Sequence, residues 1–115
     1  MVFTDEECKQ NHAFMYPLEC AEKGHTVKII LEGPGTACVN RLPEGGKFAG
    51  LFERARAAGL IEGACKTASG GCSTGIESRK VASAIEKEGI KFISDLDGHA
   101  GIERFVSTGY QIIVF

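Results

Sequence analysis

Five cysteines and three histidines carry the nucleophilic and soft-ligand chemistry of this 115-residue chain. Cys65 and Cys72 stand in GACKTASGGCSTG, residues 63–75, a stretch with four glycines and no large apolar side chain. Cys65 closes an apolar run, so its thiol is expected where a loop begins. Only the thiolate is nucleophilic, and its free pKa near 8.5 falls next to backbone N–H groups or a cation such as Lys66. Lys66, Thr67, Ser69 and Gly70 would form a cradle of small residues and backbone donors for a thiolate, a persulfide or a small oxyanion. Cys72 is a resolving thiol, a second carrier or a metal ligand, and lies too far along for a C-x-x-C pair. His99, in DLDGHAG, either transfers protons or packs at a helix start, with Asp95 and Asp97 beside it as caps. Neither G-x-x-x-x-G-K-[ST] nor a G-x-G-x-x-G after the first strand is present, so nucleotide binding has no support.

The remaining thiols divide by position. Cys38 lies in the Gly- and Pro-rich segment 32–46. Cys8 falls in the first turn of a helix and suits the core or the site equally. Cys20 follows Leu18 on the same helix and reads as a buried packing residue, the common state of a free cysteine. An odd number of cysteines without a secreted spacing pattern points to reduced thiols. The alternative to sulfur chemistry is a zinc-type metal-binding or small-ligand-binding module. In it Cys38, Cys65, Cys72 and His99, with Cys8 as a further candidate, supply a tetrahedral set. Four separate loops without a C-x-x-C knuckle argue against that set.

These residues need elements to position them. Val2-Phe3 reads as a strand stub, and Thr4 with Glu7 fits a capping box opening a helix that runs to about Lys23, kinked at Pro17. TVKIIL (26–31) reads as a strand, and 32–46 as a long loop with room for one helical turn. Phe48, Leu51, Phe52 and Ala55 mark a helix by their spacing, and LIEGAC (60–65) a strand. Ile76, Val81, Ala84 and Ile85 mark another helix, IKFIS (90–94) a strand, and Ile102, Phe105 and Val106 a last helix before the strand YQIIVF. The order β-α-β-α-β-α-β-α-β requires crossover connections, hence one α/β domain over 1–115: a five-stranded, mostly parallel sheet with helices on both faces. Ligands of such sheets bind outside the carboxyl ends of the strands. Cys38, Cys65, Cys72 and His99 are expected on that rim, with Cys20 and His25 away from it.

The totals exclude whole classes. A net charge of −2 with mixed signs leaves no basic stripe for nucleic acid and no polybasic run for a membrane surface. No apolar run approaches a membrane span, and MVFTDEE lacks the plan of a signal peptide, so a cytoplasmic location is expected.

FTDEE leading into NHAF, then EKGHTVKIILEG, LIEGACKTAS and SDLDGHAGIERFVSTGYQIIVF together resemble the DsrE/DsrF-like sulfur-relay proteins, over almost the whole chain. The resemblance implies a three-layer α/β/α sandwich and assembly into homo-oligomers, trimers or hexamers. It also implies that Cys65 accepts sulfur as a persulfide from a donor protein and hands it to an acceptor, with no cofactor. The chain would then be a sulfur carrier or sulfurtransferase. Some relatives have a second cysteine where this chain has Ala68, which leaves Cys72 as the nearby substitute.

Overall fold

A computed structural model describes residues 1–70 and 76–115, the side chains of 76–79 excepted. Helix α1 spans Glu7–Glu22 and buries Gln10, Ala13, Phe14 and Leu18, a stripe at helical spacing. The capping box does not form: Glu6 is the N-cap, and Thr4 Oγ1 instead accepts from the Glu6 N–H at 3.1 Å. Strand β1, Ile29–Leu31, is shorter than the expected run from Thr26, because its partner begins only at Ile61. The segment after it is a 12-residue 3-10 helix, Gly33–Glu44, and not an open loop. It crosses the first residues of the chain so closely that a Cβ on Gly35 would overlap the Val2 carbonyl. No residue but glycine fits there.

Helix α2, Gly46–Ala57, buries Phe48, Leu51, Phe52 and Ala55, the four residues marked by spacing. Strand β2, Ile61–Cys65, runs directly into the short helix α3, Lys66–Gly70. Helix α4 covers Ile76–Lys87, β3 Phe92–Ile93 and α5 Glu103–Val106. The three strands form a parallel sheet in the order β1-β2-β3. This is the α/β architecture expected, but the described residues give three strands and not five. Val2 contributes a single parallel bridge to Leu31. YQIIVF is not a strand, although Phe115 donates to the Met1 carbonyl at 2.9 Å and accepts from the Phe3 N–H at 2.7 Å. With a neighbour on one side only, and Ile113 and Val114 exposed, this terminal segment makes too few ladder bonds to count as one.

Alternation along the strands sorts the core into two faces. Ile29, Leu31 and Ala64 join the larger cluster with Phe14, Phe48, Phe52, Val81 and Ile85. Ile30 and Cys65, their neighbours in sequence, face the other way and meet Ile93, Ala100 and Phe105. The first face is sealed by aromatic contacts such as Phe14 against Phe48, edge-on with ring centroids 5.2 Å apart. Among the described residues the second is covered by Phe105 of α5, with Ala100, Tyr110 and Ile112, and by Ala68 and Met1. No described helix is long and apolar enough to cross a membrane.

Candidate functional site

Cys65 is the last residue of β2, and the strand pleat turns its side chain into the thinly covered face. The chain then coils at once into α3. Ser69 Oγ caps the Cys65 carbonyl at 2.6 Å, and the Ala68 N–H, which has no helical carbonyl to bond this early in α3, points at Cys65 Sγ from 3.4 Å. The expected flexible cradle is therefore a helical turn wrapped on the sulfur. Lys66 is exposed, and Ser69 is buried beneath the turn.

His99 arrives on a tight turn. Leu96 and His99 exchange backbone hydrogen bonds of 3.0 and 2.8 Å across Asp97 and Gly98, both at positive φ (48° and 90°). That is the two-residue Asp-Gly hairpin turn, in which glycine carries the second positive φ without strain. Two contacts lock this turn to α3: the Thr67 N–H and Oγ1 both donate to the Gly98 carbonyl, at 3.1 and 2.8 Å. Asp95 Oδ1 accepts from the Gly101 N–H at 2.7 Å and closes the loop behind the histidine. The result sets His99 Nδ1 3.6 Å from Cys65 Sγ.

A third group completes the cluster. Glu32 follows β1 as Cys65 ends β2 and His99 follows β3, so the carboxyl ends of three adjacent strands converge. Its carboxylate accepts from the Gly33 N–H at 2.8 Å and is buried. One ligand atom each from Glu32, Cys65 and His99 lies within 4.8 Å of the others. Sequence reasoning missed Glu32; the first residue past a wholly apolar strand was its only signal.

The electrostatics reverse one expectation. Burial pushes the Cys65 thiol up; the Ala68 N–H pulls it back, Glu32 raises it again by accepting the thiol proton and by its charge, and the Ala100 N–H opposes. With the residue fully buried, the resting group is a protonated thiol, not one activated by Lys66.

The other candidates lie elsewhere. Cys38 sits in the 3-10 helix, packed into the larger core cluster, where burial pushes its thiol to about 12; Arg41 only partly opposes this. It is not among the converging ligand atoms. Cys72 lies outside the described residues. Cys20 is exposed, contrary to its reading as a packing residue, because α1 turns Leu18 inward and leaves Cys20 at the mouth of a groove of about 920 Å³. Cys8 is also exposed, with Sγ 3.8 Å from His12 Nδ1 one helical turn along. His25 is exposed between α1 and β1, at the opposite edge of the sheet.

The arrangement can hold a proton between sulfur and imidazole, accept sulfur on the thiolate, or ligate a soft cation. Comparison with protein-family models, with curated proteins and with solved structures returns no match, so the reading of this chain rests on the site itself.

Proposed function

We propose that the protein is a sulfur carrier that holds sulfur as a persulfide on Cys65, with His99 handling the thiol's proton. The observation that supports this reading is the 3.6 Å approach of His99 Nδ1 to Cys65 Sγ, made by residues 34 apart in sequence. A buried protonated thiol needs a base within reach before it can attack, and imidazole is the side chain suited to that at neutral pH.

The step balances without redox change. His99 takes the Sγ proton, the Cys65 thiolate attacks the outer sulfur of a donor persulfide, and the donor's S–S bond breaks. The donor leaves as a thiolate and recovers the proton from His99; the outer sulfur, with its own proton or charge, stays on Cys65. The Ala68 N–H, 3.4 Å from Sγ, supports negative charge on Cys65 before the attack. Ile30, Ile93, Ala100 and Phe105 then wall the persulfide from small thiols in solution. Leu96, Ile102 and Val106, exposed around the His99 turn, offer the donor or acceptor protein an apolar contact surface. The apolar Ile113 and Val114 of the terminal segment are the surface on which copies of the chain would assemble.

The test uses a Cys8→Ser, Cys20→Ser, Cys72→Ser chain, which removes the two thiols exposed among the described residues and the one that lies outside them. Incubated with polysulfide, it gains one sulfur atom by intact mass. Adding Cys65→Ser abolishes the gain with the fold unchanged by circular dichroism. Sulfur retained after Cys65→Ser overturns the assignment.

A further inference from the structure

We infer that Glu32, Cys65 and His99 form a three-ligand zinc site with its fourth coordination position open. A carboxylate oxygen, a thiolate sulfur and an imidazole nitrogen are the three protein donors of zinc chemistry. Here they come from three strand ends and meet with their donor atoms within 4.8 Å of one another. The spacing fits the ion. Zn–S of about 2.3 Å and Zn–N of about 2.0 Å at a tetrahedral angle place sulfur and nitrogen roughly 3.5 Å apart. The observed Sγ–Nδ1 separation is 3.6 Å. Zinc would therefore enter between the two atoms with little movement of either.

Charge and hydrogen bonding agree with the geometry. Glu32 is only 6% exposed, and among the described residues no lysine or arginine lies within ion-pairing distance of its carboxylate. A buried carboxylate without a cation is costly, and a divalent ion beside it removes that cost. Thiolate and carboxylate together cancel the two positive charges, leaving a neutral buried centre. The Ala68 N–H at Sγ supplies the outer hydrogen bond that steadies a metal-bound thiolate. Magnesium and calcium, which demand all-oxygen sets, do not fit.

Binding is ligand exchange without electron transfer: the Zn–S bond forms as the Cys65 S–H proton leaves to solvent. One proton is released per ion, and the fourth position is left to water or to an incoming thiolate. Zinc on Sγ occupies the lone pair that would attack a donor persulfide, so the loaded site is closed to sulfur. That last consequence rests on the sulfur-carrier reading; the metal site itself does not.

The experiment titrates the full chain, reduced and stripped with chelator, with zinc against a chromophoric competitor. It also records the thiolate-to-metal charge-transfer absorption of the cobalt-substituted protein. The expected result is one zinc per chain and a cobalt spectrum of tetrahedral type with one thiolate. Glu32→Gln, nearly isosteric, should weaken zinc by about tenfold or more while preserving the charge-transfer band, and Cys65→Ser should remove that band. Cys8→Ser, which disables the other cysteine–histidine pair, should change neither. No zinc bound by the wild type, a thiolate band surviving in Cys65→Ser, or a band lost in Cys8→Ser overturns the proposal. If zinc binds as predicted but the stripped protein takes no sulfur, the sulfur-carrier reading fails and the zinc site stands. Sulfur loading without zinc binding gives the converse.

Discussion

Two cysteine–histidine pairs in this chain have nearly the same separation and almost nothing else in common. Cys8 and His12 sit one turn apart on α1, Cys8 exposed and His12 half-buried, with Sγ–Nδ1 3.8 Å. Cys65 and His99 are brought to 3.6 Å from β2 and the turn after β3, with Cys65 buried. The first pair is what any helix gives residues at i and i+4. Its His12 Nδ1 bonds the Cys8 backbone carbonyl at 2.8 Å, so the nitrogen carries its proton and cannot accept one from the thiol. The second pair is held by Thr67, Gly98 and Asp95 acting on His99's turn, and a carboxylate stands beside it. Distance alone is a weak indicator of chemistry; what engages the nitrogen, and what surrounds the sulfur, separates the two.

The largest expected difference is in alkylation. In the native protein, iodoacetamide should modify Cys8 and Cys20 first, Cys65 far more slowly, and Cys38 last. A thiol at about 12 is ionised at neutral pH about a thousandfold or more less than an ordinary one near 8.5. Burial adds to that. Peptide mapping over time reads the order, and Cys65 labelled as fast as Cys8 would show that its pocket is open in solution.

Exchanging the histidines should sharpen the contrast. His99→Ala should slow sulfur loading of Cys65 by about a hundredfold, the lower range for loss of a proton-transfer group. His12→Ala, at a half-buried helical position against Tyr16, should leave the rate unchanged and alter stability by about 1 kcal/mol or less. Equal effects would erase the distinction.

The turn that presents His99 can be probed through its glycine. Gly98 (φ 90°) and Gly24 (φ 89°) have nearly the same backbone conformation, but a Cβ on Gly98 would lie 2.7 Å from Thr67 Oγ1, whereas one on Gly24 meets nothing. Gly24→Ala should cost about 1 kcal/mol for the left-handed backbone alone. Gly98→Ala should cost about 1–3 kcal/mol and also disturb the Thr67–Gly98 bonds, slowing sulfur loading. Thermal melts of the two variants, with loading rates beside them, separate conformational strain from packing.

The smallest effect concerns acid. The Gly101 N–H, with Arg104 at 3.4 Å, holds Asp95 below its ordinary value of 3.8. A depressed carboxylate contributes its stability above the unfolded value and loses it as pH falls through the folded one. The Gly101 amide should therefore stay protected from hydrogen exchange through the neutral range. It should lose that protection, relative to amides of α1, only below about pH 4, the ordinary range of the group. Loss of protection at pH 6 would mean that Asp95 does not close the turn.

Much of the frame was legible in the sequence, and the limits have physical causes. Phe48, Leu51, Phe52 and Ala55 mark α2 because helical periodicity is a local property. LIEGAC reveals a strand end for the same reason, and the order of strands and helices places Cys65 and His99 on one rim; the Asp97-Gly98 turn that presents His99 was instead read as a helix start capped by Asp95 and Asp97. Burial is not local. The pocket on Cys65 is built by Ile30, Ile93, Ala100 and Phe105, from segments far apart in sequence, and nothing in KTASGG announces it. Glu32 was overlooked because an acid after a strand normally faces water, whereas here it is buried beside Cys65 and His99 at the start of the 3-10 helix. Cys20 was misplaced by the general tendency of cysteines to be buried, which a helix facing the core with Phe14 and Leu18 overrides. YQIIVF has strand composition, but pairing requires partners along its length, and the described structure gives it hydrogen bonds mainly at its end.

The central claim is that burial beside His99 makes Cys65 a protected sulfur site. The most direct measurement loads the wild-type protein with polysulfide, chases it briefly with a small thiol under native conditions, and maps the surviving persulfide by peptide mass spectrometry. The account predicts persulfide retained on the peptide containing Cys65 and stripped from those containing Cys8 and Cys20. Persulfide lost equally from all three, or never found at Cys65, would contradict it.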